Sequence, residues 1–236
     1  MDFLFDFNLD KQLEYAVVVR NMYKKFKKKV IYENVNLQIR PGECIGLVGE
    51  NGSGKSVLFQ IMTGLIRPDR GQIIVNGDEL GKHGRDFPRR VGILINEPGY
   101  IETCSGYKNL LLLAEIQNII NEKTVQKTME MVGLDYRDKT IVRKYSMGMR
   151  QKLGIAQAIM EGQTIVMLDE PYNALDYKTN KEITQILQRL KDEGKTLLLT
   201  SHQHVYLERL CDRIYCIDEH NVVDFDDRMR EKYFDM

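Results

Sequence analysis

An eight-residue segment at positions 49–56 combines glycines with a lysine and a serine in the pattern Gly-x-x-x-x-Gly-Lys-Ser. Glycines let a loop wrap tightly and direct its backbone N–H groups at phosphate oxygens, and a following helix adds the positive end of its dipole. The lysine of this pattern reaches the β- and γ-phosphates of a nucleotide, and the serine hydroxyl contacts Mg²⁺. We therefore predict that the whole segment binds a nucleoside triphosphate. Its residues are Gly49, Glu50, Asn51, Gly52, Ser53, Gly54, Lys55 and Ser56.

Two carboxylates, Asp169 and Glu170, end the apolar run at 165–168. Ligands of parallel sheets bind at the carboxyl ends of the strands, where the phosphate-binding loop must also lie. Asp169 is therefore predicted to join Ser56 as a ligand of Mg²⁺. Glu170, the next residue beyond the end of the strand, is predicted to polarise an attacking water as a general base. Without the phosphate-binding loop, an acidic turn on the surface would be the better interpretation.

The elements that must position these residues alternate between strands and helices. A short apolar run at 44–48 precedes the phosphate-binding loop, and a helix pattern follows it from Lys55 to Leu65. Such alternation predicts an α/β fold with a mainly parallel sheet. Further strands are predicted at 15–19, 35–39, 71–77, 90–95, 164–168 and 196–200, further helices at 178–193 and 204–211, and a hairpin at 213–218 and 221–225.

Residues 105–160 lack strand patterns and are predicted to be mostly helical, as in the segment NLLLLAEIQNII. No repeat or linker interrupts the rest of the chain. We therefore predict one domain over 1–236, with a core formed by about 1–97 and 161–236 and a helical insert at about 105–160.

Composition excludes several classes of protein. The 236 residues include 34 Lys and Arg against 34 Asp and Glu, and this balance does not support nucleic-acid binding. The 4 cysteines form no CxxC pair and lack zinc-ligand spacing, which predicts free thiols in a reducing compartment. No apolar run approaches the roughly 20 residues of a membrane span. We expect a cytoplasmic protein whose membrane component, where one is needed, belongs to another polypeptide.

Beyond the phosphate-binding loop, the motifs resemble those of the ABC ATPase family over essentially the whole chain. The segment LDEPYNALD at 168–176 is similar to the family's Walker B strand and D-loop, with Glu170 as the catalytic glutamate and Asp176 as the D-loop aspartate. His202, in Thr-Ser-His after the next strand, is similar to the switch histidine that contacts the γ-phosphate. The resemblance implies the ABC ATPase form of the P-loop NTPase fold. That form has a mainly parallel sheet core, an antiparallel N-terminal β region and a helical subdomain, and its cofactors are ATP and Mg²⁺.

The segment YSMGMRQ at 145–151 occupies the position of the family's LSGGQ signature. It departs from that motif at its first, third and fifth positions but keeps Ser146 and Gly148. In the family this helix start binds the γ-phosphate held by a second subunit, so the resemblance implies a homodimer or heterodimer with two nucleotides at its interface. The YSMGM version resembles the bacitracin-export and antimicrobial-peptide immunity branch.

Two correspondences with the family are weaker. The Q-loop glutamine is missing from the segment GILINEPGY at 92–100, where Asn96 aligns best and Glu97 is the alternative. The resemblance places Asn96 near both the nucleotide and the metal. Phe26 matches the aromatic residue on which the base stacks, with Tyr23 as the competing candidate.

The resemblance implies an ATPase that powers a separate membrane permease and exports a peptide, a drug or a lipid-like substrate. It would lie at the inner face of the cell membrane through that permease, which we expect to dock in a groove lined by 96–108. The alternative is a non-transport ABC ATPase, for example the iron–sulfur assembly type, whose signature is closer to LSGG. The N-terminal residues Phe3, Leu4, Phe5 and Phe7 are predicted to be disordered, to form an edge strand or to contact the partner.

Overall fold

The computed structural model of the chain describes residues 13–96, 98–202 and 204–233. Its strands are β1 (Val17–Phe26), β2 (Lys29–Ile39), β3 (Cys44–Val48), β4 (Arg70–Val75), β5 (Asp78–Glu79), β6 (Val91–Leu94), β7 (Ile165–Leu168), β8 (Thr196–Ser201), β9 (Arg213–Asp218) and β10 (Asn221–Asp224). Its helices are α1 (Lys55–Met62), α2 (Gly106–Gln117), α3 (Glu122–Met131), α4 (Met147–Ile159), α5 (Tyr177–Asp192), α6 (His204–Glu208) and α7 (Asp227–Tyr233). None of these helices is both long and apolar enough to cross a lipid bilayer.

Four of the strands form an antiparallel sheet in the order β2-β1-β4-β5. Val17 of β1 pairs with Ile39 on one side and with Val75 on the other, and all three side chains are buried. Branched apolar residues of this kind suit a pleated surface with one buried face. β1 and β2 continue to a tight hairpin at Lys27, which has a φ of 54°. Both strands are therefore longer than the sequence predicts.

The other six strands form a sheet in the order β10-β9-β3-β8-β7-β6, parallel except for β10. Ile165 and Met167 of β7 belong to the core shared with the antiparallel sheet and α1. Val166 and Leu168 belong to a second core on the opposite face, which includes residues of α2 to α6. Because both faces are covered, every residue of β3, β7 and β8 is buried, which explains the apolar runs CIGLV in β3, IVML in β7 and LLL in β8.

The strand order places the predicted site residues side by side. β3, β8 and β7 are consecutive in the sheet, and Leu168 at the end of β7 pairs with Leu199 of β8. Because the carboxyl ends of parallel strands meet at one edge, the loop after β3, Asp169 after β7 and His202 after β8 share that edge.

The predicted α/β fold with a mainly parallel sheet and an antiparallel N-terminal region is confirmed. Besides β1 and β2, other elements also differ from the prediction. α1 ends at Met62 because Gly64 has a φ of 78°, α6 ends at Glu208 instead of Cys211, and neither β5 nor α7 was expected. Helices α2 to α4 lie within the segment expected to be helical, while the division into one core and one insert stays a prediction. The aromatic residues at positions 3–7 lie outside the described residues.

Candidate nucleotide site

The loop after β3 enters α1 at Gly54, which has a φ of 119° at the N-terminus of the helix. A Cβ atom at this position would lie 2.9 Å from the Tyr32 hydroxyl, so the close approach requires glycine. Burial raises the pKa of Tyr32, and its hydroxyl donates a hydrogen bond of 2.9 Å to the Gly54 carbonyl. The loop is held tightly against β2, and the first N–H groups of α1 form the anion-binding end of the helix.

Lys55 is buried, with 7% of its surface exposed, and its ammonium group turns back over the loop. It donates hydrogen bonds of 2.8 Å to the Gly49 carbonyl and 3.2 Å to the Glu50 carbonyl. It also lies 3.4 Å from Glu170 Oε1. A buried cation is stable only with such partners, and here they keep the positive charge at the loop where phosphate oxygens would bind.

Asp169 is held by two hydroxyl groups from different elements. Ser56 Oγ donates a hydrogen bond of 2.5 Å to Asp169 Oδ2, and Thr200 Oγ1 donates one of 2.6 Å to Oδ1. Thr200 also accepts a hydrogen bond of 2.8 Å from the Glu170 N–H. Sequence reasoning did not name Thr200 as a site residue. A hydroxyl near the end of a buried strand was the signal, but its place opposite Asp169 depends on the register of β7 and β8.

Glu170 connects the loop lysine to His202. The backbone N–H of His202 donates a hydrogen bond of 3.1 Å to Glu170 Oε2, and His202 Nδ1 lies 2.9 Å from the same oxygen. Glu170 has a φ of 50°, in the left-handed region that is costly for a residue with a side chain. Such conformations occur at functional sites where the surrounding contacts hold them in place.

Ser56 and Asp169 suit Mg²⁺ because both present oxygen atoms to one point. Magnesium is normally bound through one or two carboxylates together with phosphate oxygens and waters rather than in an all-protein cage. Within the described ranges no group of three or more His, Cys, Asp or Glu residues could hold a metal ion. A magnesium ion at Asp169 would therefore depend on oxygens from a bound phosphate.

Ser146 and Gly148 lie at the start of α4. Ser146 is exposed and caps the helix, since its hydroxyl accepts a hydrogen bond of 3.2 Å from the Met149 N–H. Gly148 packs against α5, where an added Cβ would lie 2.7 Å from Thr179 Cγ2. In the described part of the chain, neither residue forms a hydrogen bond with Lys55 or Ser56. The binding of a γ-phosphate from a second subunit by this pair stays a prediction.

Asp176 caps the N-terminus of α5. It accepts a hydrogen bond of 3.0 Å from the Thr179 N–H and one of 2.8 Å from the Thr179 hydroxyl. These bonds, the backbone one first, hold the pKa of Asp176 below its ordinary value. Thr179 therefore touches both the predicted D-loop residue and, through its methyl group, the helix that carries Gly148.

Asn96 lies at the same edge of the sheet as Asp169. It is exposed, has a φ of 56° and follows β6 by two residues. The Asp169 N–H donates a hydrogen bond of 2.8 Å to the carbonyl of Leu94, the last residue of β6. This bond brings the two segments together, while the role of Asn96 in nucleotide and metal binding stays a prediction. Glu97 lies outside the described residues.

Phe26 ends β1 and is 42% exposed, and the Lys24 ammonium lies 5.1 Å from the centre of its ring. A cavity of about 240 Å³ is lined by the first residues of β2, which follow Phe26 closely in the sequence, and by the loop residues Glu50, Gly52 and Ser53. Phe26 is not among the described residues that line it. Its stacking on a base therefore stays a prediction, as does that of Tyr23.

The family model described as ABC transporter matches residues 32–173. The chain belongs to the ABC transporter family. It is 37% identical over 196 residues to the uncharacterized ABC transporter ATP-binding protein YybJ of Bacillus subtilis, covering 83% of this chain and 89% of YybJ. It is 35% identical to the lantibiotic transport ATP-binding protein SrtF of Streptococcus pyogenes, covering 87% and 88%. It is 32% identical to the bacitracin transport ATP-binding protein BcrA of Bacillus licheniformis, of which it spans 65%.

Solved structures of ABC cassettes have the same fold as this ABC ATPase. The dimeric ATP-binding cassette MJ0796, in a post-hydrolysis state with ADP and Pi, is 26% identical with a TM-score of 0.76. The match covers 87% of this chain and 96% of that one. The chain is therefore an ATP-binding, ATP-hydrolysing subunit of an ABC transporter. This result favours the predicted transport role over the iron–sulfur assembly alternative.

Proposed function

We propose that this ABC ATPase powers the export of a peptide antibiotic, or of a similar drug or lipid-like compound, through a separate permease. Two of the relatives are named as lantibiotic and bacitracin transport proteins. The YSMGM form of the signature supports the same branch of the family. The observation that carries the ATP-driven part is the meeting of Lys55, Glu170 and His202 at one edge of the sheet.

Binding of ATP would use the loop at 49–56 and the start of α1. The backbone N–H groups and the Lys55 ammonium would face the β- and γ-phosphates. Ser56 and Asp169 would hold Mg²⁺, with Asn96 close to the same shell, and the ion would neutralise charge on the phosphate oxygens. Phe26 would supply the aromatic face for the base.

Hydrolysis would depend on Glu170 as the general base. Its carboxylate is fixed from both sides, by Lys55 at 3.4 Å and by His202 at 2.9 Å, so it can orient and deprotonate a water. His202 is close enough to this carboxylate to contact a γ-phosphate beside the same water. Thr200 keeps Asp169 and Glu170 in fixed positions relative to each other.

Two copies of the chain, or this chain and a related one, would close over two nucleotides. Ser146 and Gly148 stand at an exposed helix start, where a hydroxyl and N–H groups can bind the γ-phosphate held by the other subunit. Asp176 would lie at the same interface. Cleavage of the γ-phosphate removes this bridge, and the dimer opens, as in other switches that depend on a γ-phosphate.

The permease would dock beside residues 96–108, between β6 and α2, and would place the ATPase on the cytoplasmic face of the membrane. Opening and closing of the dimer would then move the membrane subunit. The domain arrangement we propose, a core with a helical insert at about 105–160, gives this groove two walls.

The test is export itself. The chain is expressed together with a permease encoded beside it, in a bacterium sensitive to bacitracin and to a lantibiotic, and the inhibitory concentrations of both peptides are measured. We expect the parent to raise at least one of them and Lys55→Ala to abolish the increase. Lys82→Ala is the matched control, because Lys82 is exposed and pairs only locally with Glu79.

Two results separate the parts of the proposal. If neither peptide is tolerated better while the purified complex still hydrolyses ATP, peptide export is wrong and the ATPase assignment stands. If Lys55→Ala retains the ATPase rate of the parent, the assignment of the nucleotide site is wrong.

A further inference from the structure

A cavity of about 570 Å³ lies between the edges of the two sheets, and none of the described residues that line it belongs to the candidate nucleotide site. β2 is the edge strand of the antiparallel sheet, and β10 is the edge strand of the six-stranded sheet. The Glu33 N–H, near the middle of β2, donates a hydrogen bond of 2.9 Å to the carbonyl of His220, which directly precedes β10. Farther along, the cavity is lined on its two sides by Asn36, Leu37, Gln38, Val222, Val223 and Asp224.

The walls of this cavity are basic at the surface and apolar at the base. The described residues that line it include three arginines, at positions 20, 40 and 213, and one aspartate, at position 224. Arg213 stacks over Tyr215 at 5.0 Å and lies 4.0 Å from Asp224. Leu37 and Tyr215 are buried, at 5% and 7% exposure. An extended segment with one apolar and one acidic face would match these walls in shape and charge.

Residues 2–10 of the chain have this pattern. Phe3, Phe5, Phe7 and Leu9 fall on odd positions, and Asp2, Asp6 and Asp10 fall on even positions. Because successive side chains of a strand point to opposite faces, an extended backbone would gather the apolar residues on one face and the aspartates on the other. The whole chain has 34 Lys and Arg against 34 Asp and Glu, so the residues outside this segment have 34 against 31 and carry a net charge of +3. Three of these basic residues line the cavity.

We propose that residues 2–10 dock in this cavity as an additional strand along the edge of β2 or β10. The phenylalanines would pack on Leu37 and Tyr215, and the aspartates would face the arginines. Residues 2–10 can reach the cavity because Tyr15, which lines it, follows Asp10 by only five residues. Five residues of extended backbone span about 17 Å. Docking would cover a sheet edge that otherwise invites pairing with other chains.

Hydrogen exchange of the nucleotide-free protein tests this proposal. We compare the full chain with a variant lacking residues 2–10 and expect the amides at 36–38 or 222–224 to exchange at least about tenfold faster in the variant. The amides of β7 serve as the control and should not change, because that strand lies inside the six-stranded sheet. Replacement of Asp2, Asp6 and Asp10 by Asn should cause part of the same loss of protection. Asp135→Asn, an exposed aspartate on the helical part, should cause none.

A synthetic peptide with residues 1–12 should restore protection when added to the shortened chain. Unchanged exchange at both edges would overturn the proposal. Protection that grows with protein concentration would also overturn it, because a second copy would then supply the strand. If the shortened chain does not fold, the full chain decides: its edge protection should fall as salt screens the aspartates and arginines, and protection insensitive to salt counts against docking.

Discussion

Thr200 Oγ1 donates a hydrogen bond of 2.6 Å to Asp169 Oδ1 and accepts one of 2.8 Å from the N–H of the next residue, Glu170. One hydroxyl therefore fixes the side chain of the predicted metal ligand and the backbone of the predicted base. Thr200 is completely buried, so no solvent can replace either bond. Its effect on ATP hydrolysis would be exerted through these two neighbours.

Thr200→Val tests that role, since it keeps the shape of the side chain and removes the hydroxyl. We expect the ATPase kcat to fall by about 10- to 100-fold, as for other residues that orient metal ligands. Thr200→Ser, which retains the hydroxyl, is the control and should stay near the parent rate. The measurement is steady-state phosphate release over a range of Mg²⁺ concentrations. A valine variant with the parent kcat and magnesium dependence would show that Thr200 is only a packing residue.

Glu170→Gln should separate nucleotide binding from cleavage. The amide cannot accept a proton, so we expect turnover to fall by about 10²- to 10⁴-fold. The contacts of ATP with Lys55 and the loop remain, so the variant should form an ATP-dependent dimer on gel filtration. Glu115→Gln, an exposed change on α2, should show parent turnover and no such trapped dimer. Hydrolysis by Glu170→Gln at the parent rate would remove Glu170 from its role.

The contact between Gly148 and Thr179 predicts a coupled pair of substitutions. In Gly148→Ala the new Cβ would lie 2.7 Å from Thr179 Cγ2, and we expect a loss of about 1–3 kcal/mol in the free energy of unfolding. Thr179→Ala removes the clashing atoms, so Gly148→Ala should cost less in that background. Urea unfolding of the four proteins in the cycle measures the coupling. Additive losses would mean that the two helices separate easily at this point.

Asp212 predicts a pH dependence of stability. It accepts hydrogen bonds of 2.6 Å from Lys191 and 2.9 Å from the Cys44 N–H, at the start of the strand that leads into the phosphate-binding loop. Burial acts to raise its pKa, but these bonds and the lysine charge outweigh it and hold the pKa below the ordinary 3.8. The stabilisation is therefore complete above the unfolded pKa and is lost as the pH falls through the folded one.

Asp212→Asn should remove this contribution. We expect its free energy of unfolding to be lower than that of the parent at neutral pH, and the gap to narrow as the pH falls below about 4. Urea unfolding between neutral and acidic pH measures the gap. Asp192→Asn on the exposed face of α5 is the control and should follow the parent curve. A gap that stays constant with pH would show that protonation of Asp212 does not matter for stability.

The parts of the molecule that depend on local pattern were predictable from the sequence. Strand β3, the loop after it and the carboxylates after β7 follow from apolar runs that end in glycine or acidic residues. Contacts that depend on how strands distant in sequence pair with each other could not be predicted from the sequence. Thr200 meets Asp169 only because Leu168 pairs with Leu199, and no short motif specifies that register.

Residues that serve two segments at once were also missed. The Tyr32 hydroxyl on β2 donates a hydrogen bond to the Gly54 carbonyl of the loop, and the Asp212 carboxylate after α6 accepts one from the Cys44 N–H. Their partners lie 22 and 168 positions away in sequence, beyond the reach of any periodicity. The left-handed backbone of Glu170 belongs to the same class, because only the surrounding contacts make it tolerable.

β7 has no side chain that faces water: its four residues divide alternately between the two cores on either side of the sheet. A change of packing in either core therefore shifts β7 and, with it, Asp169 and Glu170 at its carboxyl end. In a saturation mutagenesis screen for loss of ATP turnover, substitutions in β7 should inactivate the protein as often as substitutions of the residues predicted to contact the nucleotide. Substitutions of core residues that do not contact the nucleotide should therefore also impair ATP hydrolysis.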